Sequence, residues 1–133
     1  MRYLGIDFGS KRVGVALSDE SGHFAMPYTV LENNKNLVNE VVAICAKEEV
    51  EGIVIGKSLN YQMQANPILA ASEIFAKELA EQIKLPIAWE QEFLTSQEAK
   101  RDIGKDELYD ARAAALILKS YLDRSTPKTD SAI

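Results

Sequence analysis

The chain is poor in the residues on which several kinds of chemistry depend. Of its 133 residues, one is a cysteine, Cys45, and one is a histidine, His23. A single cysteine excludes an intramolecular disulfide and suits a reducing compartment. A histidine-based nucleophile triad has nothing to support it, and His23, just after a turn, is expected at the surface. Basic residues are also in the minority, 15 Lys and Arg against 20 Asp and Glu, for a net charge of −5. That balance excludes a strongly basic nucleic-acid binder. No apolar run reaches membrane-spanning length, and the first residues lack the basic start and long apolar stretch of a signal peptide. The expectation is a soluble cytoplasmic protein with no membrane partner.

What is present is enough for a core. Hydrophobic residues make up 47% of the chain, and 133 residues is the size of one ordinary domain. Residues 2–8 read as a strand buried on both faces. Gly9 and Ser10 turn the chain, and the Val-rich stretch 12–18 returns beside it. Ser21-Gly22 marks a second turn before a third strand over 23–30. Asn33 or Asn34 is placed to cap a helix whose apolar face is Leu37, Val38, Val41, Val42, Cys45 and Ala46. Ile53-Val54-Ile55, between Gly52 and Gly56, has the fully apolar character of a buried parallel strand.

Residues 57–66 read as a polar loop, and Pro67 suits the first turn of the next helix. Residues 86–89 form a last short strand, 95–103 a short helix, and Asp106 can cap a final helix through Leu122. Three antiparallel strands followed by two crossovers give an α/β fold. It is a mixed five-stranded sheet with helices on both faces and the first strand central. One domain is expected over 1–124, with a disordered tail over 125–133.

Acids on three separated elements can converge in such a fold. Asp7 ends the first strand, Glu92 follows the fifth, and Asp110 lies in the first turn of the last helix. A carboxylate among apolar neighbours is costly unless something pairs with it. Magnesium and manganese, hard oxygen-preferring ions, are natural partners. Two such ions about 4 Å apart, held against a phosphodiester, are the requirement of two-metal hydrolysis. The acidic composition leaves such a nuclease open, because the metals offset their ligands' charge. Each acid also has a plain structural use. Asp7 can cap the turn through the amides of Gly9 or Ser10, Glu92 can be a solvated strand-end charge, and Asp110 can favour the helix N-terminus. Asp106 and Glu107 compete for that last use, which frees Asp110.

Longer stretches carry a resemblance. Gly5-Ile6-Asp7-Phe8-Gly9-Ser10-Lys11-Arg12-Val13-Gly14-Val15-Ala16 resembles the opening motif of the YqgF/RuvX family throughout. So does Asp110-Ala111-Arg112-Ala113-Ala114-Ala115-Leu116-Ile117-Leu118, followed by Tyr121-Leu122-Asp123. Glu92 with Leu94-Thr95-Ser96 and Ala99 is similar to the family's Asp-Glu-Arg-Leu-Thr-Thr segment. The resemblance runs from about residue 2 to 123. Members of the family are described as Holliday junction resolvases and as pre-16S ribosomal RNA nucleases. The resemblance implies an RNase H-like fold, with Asp7, Glu92 and Asp110 as catalytic acids holding two Mg2+ or Mn2+ ions. It implies precursor ribosomal RNA as the partner, with branched DNA served by the same chemistry; monomer and homodimer stay equally open.

Lys11, Arg12 and Arg112 are expected to contact nucleic-acid phosphates, with Lys100, Arg101 and Lys105 extending the patch. Three departures from the family bear on substrate handling, one of them a short stretch between Ala99 and Asp110 with little of the family's basic loop. Gln91-Glu92-Phe93 stands where the family has Asp-Glu-Arg, and Lys57-Ser58 where it has Leu-Pro. Phe93 cannot hold a phosphate as a guanidinium does. A nucleic-acid or ribosome-assembly binding protein with weakened catalysis is therefore the alternative reading. A phosphate loop at Gly56-Lys57-Ser58 is excluded, because Glu51 stands where its first glycine belongs. An actin-like or sugar-kinase-like ATP site is set aside, because that architecture needs two such domains. Cys45 and Trp89 are expected in the core.

Overall fold

The computed structural model describes residues 1–57, 67–91 and 109–125. Five strands form one sheet: β1 (Tyr3–Phe8), β2 (Arg12–Ser18), β3 (Ala25–Glu32), β4 (Gly52–Lys57) and β5 (Ile87–Gln91). Their order is β3-β2-β1-β4-β5. The first three run antiparallel, and β4 and β5 join β1 in parallel. The first strand is central, as expected. Three helices accompany the sheet among the described residues: α1 (Leu37–Glu48), α2 (Pro67–Gln82) and α3 (Tyr109–Ser125). None of them is long and apolar enough to cross a membrane.

Strand periodicity divides the side chains between two faces. Leu4, Ile6, Phe8, Val13, Val15, Ile53 and Ile55 point to one face, where Val41 and Cys45 of α1 and Phe75 and Leu79 of α2 pack on them. Each fully buried Leu or Ile there contributes about 1.5–3 kcal/mol. Trp89 packs, half-buried, against the same core. Cys45 lies inside it, and burial pushes its thiol up to about 11, as befits a packing residue. The opposite face carries Ala16 and Val54 beneath Ala114, Ile117, Leu118 and Leu122 of α3.

Helix α3 lies close on that face because the sheet is small-sided there. A Cβ at Gly5 would stand 2.8 Å from the Cβ of Leu118 and 3.1 Å from the carbonyl oxygen of Ala114. Further along, the rings of Tyr3 and Tyr121 meet edge-on with centroids 5.7 Å apart. The helix therefore runs back along β1, from Tyr121 over Tyr3 toward its own N-terminus over the carboxyl end of the strand.

Several local readings shift. The third strand starts at Ala25 rather than 23, because Asp19 accepts the amide N–H groups of His23 and Phe24, both at 2.9 Å, and extends the turn. It continues to Glu32, paired with Arg12. Pro27 sits at a bulge on this edge strand, where its missing N–H costs nothing. The cap of α1 is Asn36, without a side-chain cap bond. Asn34 instead accepts the amide of Asn36 at 2.9 Å, and Asn33 is used elsewhere. Strand β4 continues through Lys57, which leaves no phosphate loop after Gly56. Helix α3 reaches Ser125, one residue into the expected tail. Of the expected loop over 57–66, Lys57 belongs to β4, and residues 58–66 lie outside the described residues, as do the short helix over 95–103, the Asp106 cap and the rest of the tail.

One buried charge joins the far strand to this layer. Glu90, its side chain 8% exposed, accepts a hydrogen bond from the Ser120 hydroxyl at 2.6 Å and another from Arg124. The Arg124 guanidinium also lies over the Tyr121 ring, 5.7 Å from its centroid. Removing Arg124 leaves a buried carboxylate with Ser120 alone, and uncompensated buried charge is strongly unfavourable. Arg124→Ala should lower the melting temperature by several degrees. Adding Glu90→Gln should recover part of that loss, since a neutral amide leaves no charge behind. Thermal unfolding of the three proteins checks both statements.

Candidate active site

Asp7 is directly paired with Gly14 across the β1–β2 ladder, and directly paired residues in antiparallel strands share a face. Gly14 marks which face. A Cβ built there would fall 1.9 Å from the carbonyl oxygen of Asp110 and 2.3 Å from its carbonyl carbon. The first turn of α3 thus rests directly on the β2 backbone, opposite Asp7. Glycine is required at this position by close approach of two backbones, not by a turn. The two acids come from opposite ends of the chain and meet because Gly14 has no side chain.

Both carboxylates are partly buried, Asp110 with 20% of its side chain exposed. Tyr109, next to Asp110, reports the charge that gathers there. Its phenol is raised above the usual tyrosine range, first by burial and then by the negative charges of Asp110 and Asp7. Arg12, at the start of β2, answers that charge. Its Nε donates to Oδ2 of Asp110 at 2.8 Å, while 59% of the Arg12 side chain stays exposed.

The turn that carries Asp7 is pinned from β3. The Asn33 side chain donates to the Gly9 carbonyl at 2.7 Å, and its backbone N–H donates to the Lys11 carbonyl at 2.9 Å. Asn33 was open to reading as a helix cap. It is instead the residue that fixes the loop between Asp7 and Arg12, and no local pattern marks that use.

The candidate residues therefore divide. Asp7 and Asp110 are brought together. Arg12 is on Asp110 rather than free for a phosphate. Lys11 is exposed on the same turn, and Arg112 is half-buried at the end of the first turn of α3. Glu92 lies outside the described residues, as do Phe93, Lys100, Arg101 and Lys105. Among the described residues no three His, Cys, Asp or Glu side chains group as a metal set; the described part is the pair Asp7 and Asp110. Its donors are all carboxylate oxygens around one accumulated negative charge, which fits a hard divalent cation and not a soft one. Glu90 is not available to them, being engaged by Ser120 and Arg124.

A second set of residues only mimics a catalytic one. In the β2–β3 turn, at the other end of the sheet, Ser21 donates to Asp19, and Nδ1 of His23 lies 2.8 Å from the Ser21 hydroxyl. The serine proton is thus directed at the aspartate, whose other oxygen holds the His23 and Phe24 amides. The Ser21 bond, and then the Phe24 amide, hold the Asp19 carboxyl well below the usual carboxylate range. This is turn chemistry, and His23 is exposed, as expected.

Comparison with known proteins bears on this geometry. The family profile described as "RuvX: Holliday junction resolvase" matches residues 1–124. A protein of Syntrophomonas wolfei named "Putative pre-16S rRNA nuclease" is 35% identical over 133 residues, covering 92% of this chain and 94% of that protein. A protein of the same name from Oenococcus oeni is 36% identical over 137 residues, covering 93% and 95%. Among solved structures, RuvC of T. thermophilus in complex with Holliday junction substrate superposes with a TM-score of 0.62. It is 14% identical and covers 93% of this chain and 95% of that one. That likeness is one of fold: the mixed five-stranded sheet and its helices are RNase H-like.

Proposed function

The chain belongs to the RuvX family, and we propose that it is a metal-dependent nuclease that hydrolyses phosphodiester bonds in precursor 16S ribosomal RNA. The observation that carries this reading is the meeting of Asp7 and Asp110 over Gly14. No packing need is served by setting two carboxylates together on a sheet face, so the arrangement points to a cationic ligand. In this reading Asp7 and Asp110 hold Mg2+ or Mn2+, with Glu92 as the third acid and two ions in the complete site. Ions bound there would supply a water-derived nucleophile at neutral pH and stabilise the charge on the leaving oxygen. The chain's own residues do the positioning. Gly14 lets α3 come down, Asn33 fixes the Asp7 turn, and the sheet and α3 hold both acids on ordered elements rather than loops. Lys11 lies on the turn that follows Asp7 and Arg112 two residues after Asp110, and in this reading both contact the RNA backbone. A cytoplasmic setting follows from the proposed substrate.

The relatives' names favour ribosomal RNA over branched DNA, and cleavage assays decide between them. Labelled precursor 16S RNA and a four-way DNA junction, each incubated with and without Mn2+, are the test. Manganese-dependent cleavage of the RNA is expected, and Phe93→Arg should leave the rate unchanged or raise it. Cleavage of the junction alone would transfer the reading to resolvase activity. Cleavage of neither would favour a binding protein. The metal itself should be visible without any substrate: a ligand of the native state stabilises it, so Mn2+ should raise the melting temperature of the wild type and not of Asp7→Asn.

A further inference from the structure

Arg12 was expected to hold a phosphate, and the structure has it holding Asp110. The bond is charge-assisted and short, 2.8 Å from Nε to Oδ2, within the range of strong guanidinium–carboxylate contacts. It links the two elements that bring the acids together, the start of β2 and the first turn of α3. The Arg12 side chain is nevertheless 59% exposed, so much of it faces solvent. A residue meant only to fasten α3 to the sheet would be expected to bury its charge more fully and use both faces of its fork.

We infer that Arg12 is a displaceable counter-cation: it offsets the charge of Asp110 before metal arrives, and metal binding releases it toward solvent, where a substrate phosphate would be. This rests on the proposal that Asp7 and Asp110 hold a divalent ion. The reasoning is electrostatic. Two partly buried carboxylates on one face repel unless positive charge lies near them, and Arg12 supplies such a charge at Asp110. A divalent ion meets the same need with twice the charge. Two cations sharing Asp110 oppose each other, so one of them gives way, and the exposed side chain is free to move. Asp110 thereby exchanges an arginine for a metal, and the freed arginine keeps its two-pronged donor set for a phosphate. Nucleic-acid affinity then rises only once metal is in place, so the unloaded protein does not sequester substrate.

The test reads metal binding rather than catalysis. Titrating Mn2+ alone into wild type and Arg12→Gln by calorimetry should show tighter binding by the variant, by about five- to tenfold. A fastening role predicts the reverse, since losing it would loosen Asp110. Arg12→Lys keeps the charge and should stay near wild type, which separates charge from packing. In the wild type, the Nε–H resonance of Arg12 should be protected from exchange without metal and lose that protection as Mg2+ is added. Unchanged or weaker Mn2+ binding by Arg12→Gln, or a resonance that stays protected at saturating Mg2+, overturns the inference while leaving the metal site standing. Absence of binding by wild type as well overturns both.

Discussion

Asp7→Asn should eliminate metal-dependent cleavage while leaving the fold and most nucleic-acid binding in place. Asparagine has the size of aspartate and keeps the β1–β2 pairing with Gly14, so structure is retained. What is lost is one negative oxygen donor of a site whose work is electrostatic. Losses of a single preorganised electrostatic group cost about 10²–10³-fold in rate, and a metal ligand is expected to cost at least that. Asp110→Asn should match it in rate and differ in one respect: Arg12 loses its carboxylate partner. Single-turnover cleavage in Mn2+, with binding followed separately by fluorescence anisotropy, resolves the two effects. Cleavage by Asp7→Asn at the wild-type rate would remove Asp7 from the chemistry.

A single methyl group at Gly14 should be nearly as damaging, through structure. The added Cβ would lie 1.9 Å from the Asp110 carbonyl oxygen and 3.0 Å from the Ala111 nitrogen. Both are backbone atoms of a helix and cannot rotate aside, so the first turn of α3 has to lift. Overpacking of this kind costs about 1–3 kcal/mol, read as a shift in denaturant midpoint. The lift also separates Asp110 from Asp7, so Mn2+ should no longer raise the melting temperature. Gly5→Ala is the informative contrast. Its Cβ would press on Leu118 and Ala114 in the middle of α3, away from the acids. It should lower stability yet preserve more of the metal effect. A Gly14→Ala protein with wild-type stability and metal response would show that the close approach does not position the site.

The strands were legible where their signals are local. The Gly-Ser turn after Asp7, the unbroken Ile53-Val54-Ile55 run and Pro67 at a helix start each act within a few residues, and β1, β2, β4 and α2 form where those signals put them. The ends of β3 and the cap of α1 moved because side chains chose partners that spacing does not reveal. Asp19 took two amides of the turn, and Asn33 reached across to Gly9. The acids themselves were legible as types at strand and helix ends. Their pairing was not, because it depends on Gly14 touching a helix nearly a whole chain length away. The same is true of Glu90 and Arg12. Nothing in the spacing around Glu90 marks its partners, and only the position of α3 commits it to Ser120 and Arg124. Arg12, exposed beside a turn, reads as a phosphate contact, and nothing local marks its bond to Asp110, which comes from the far helix.

The most direct measurement is a crystal of the protein soaked in Mn2+ and examined at the manganese absorption edge. The expected result is an anomalous peak bound by carboxylate oxygens of both Asp7 and Asp110, at the about 2.0–2.2 Å typical of small divalent ions with oxygen ligands. A crystal that takes up manganese elsewhere, or none at saturating concentration, with Asp7 and Asp110 lacking a shared ion, would contradict the proposal that this pair is a metal centre.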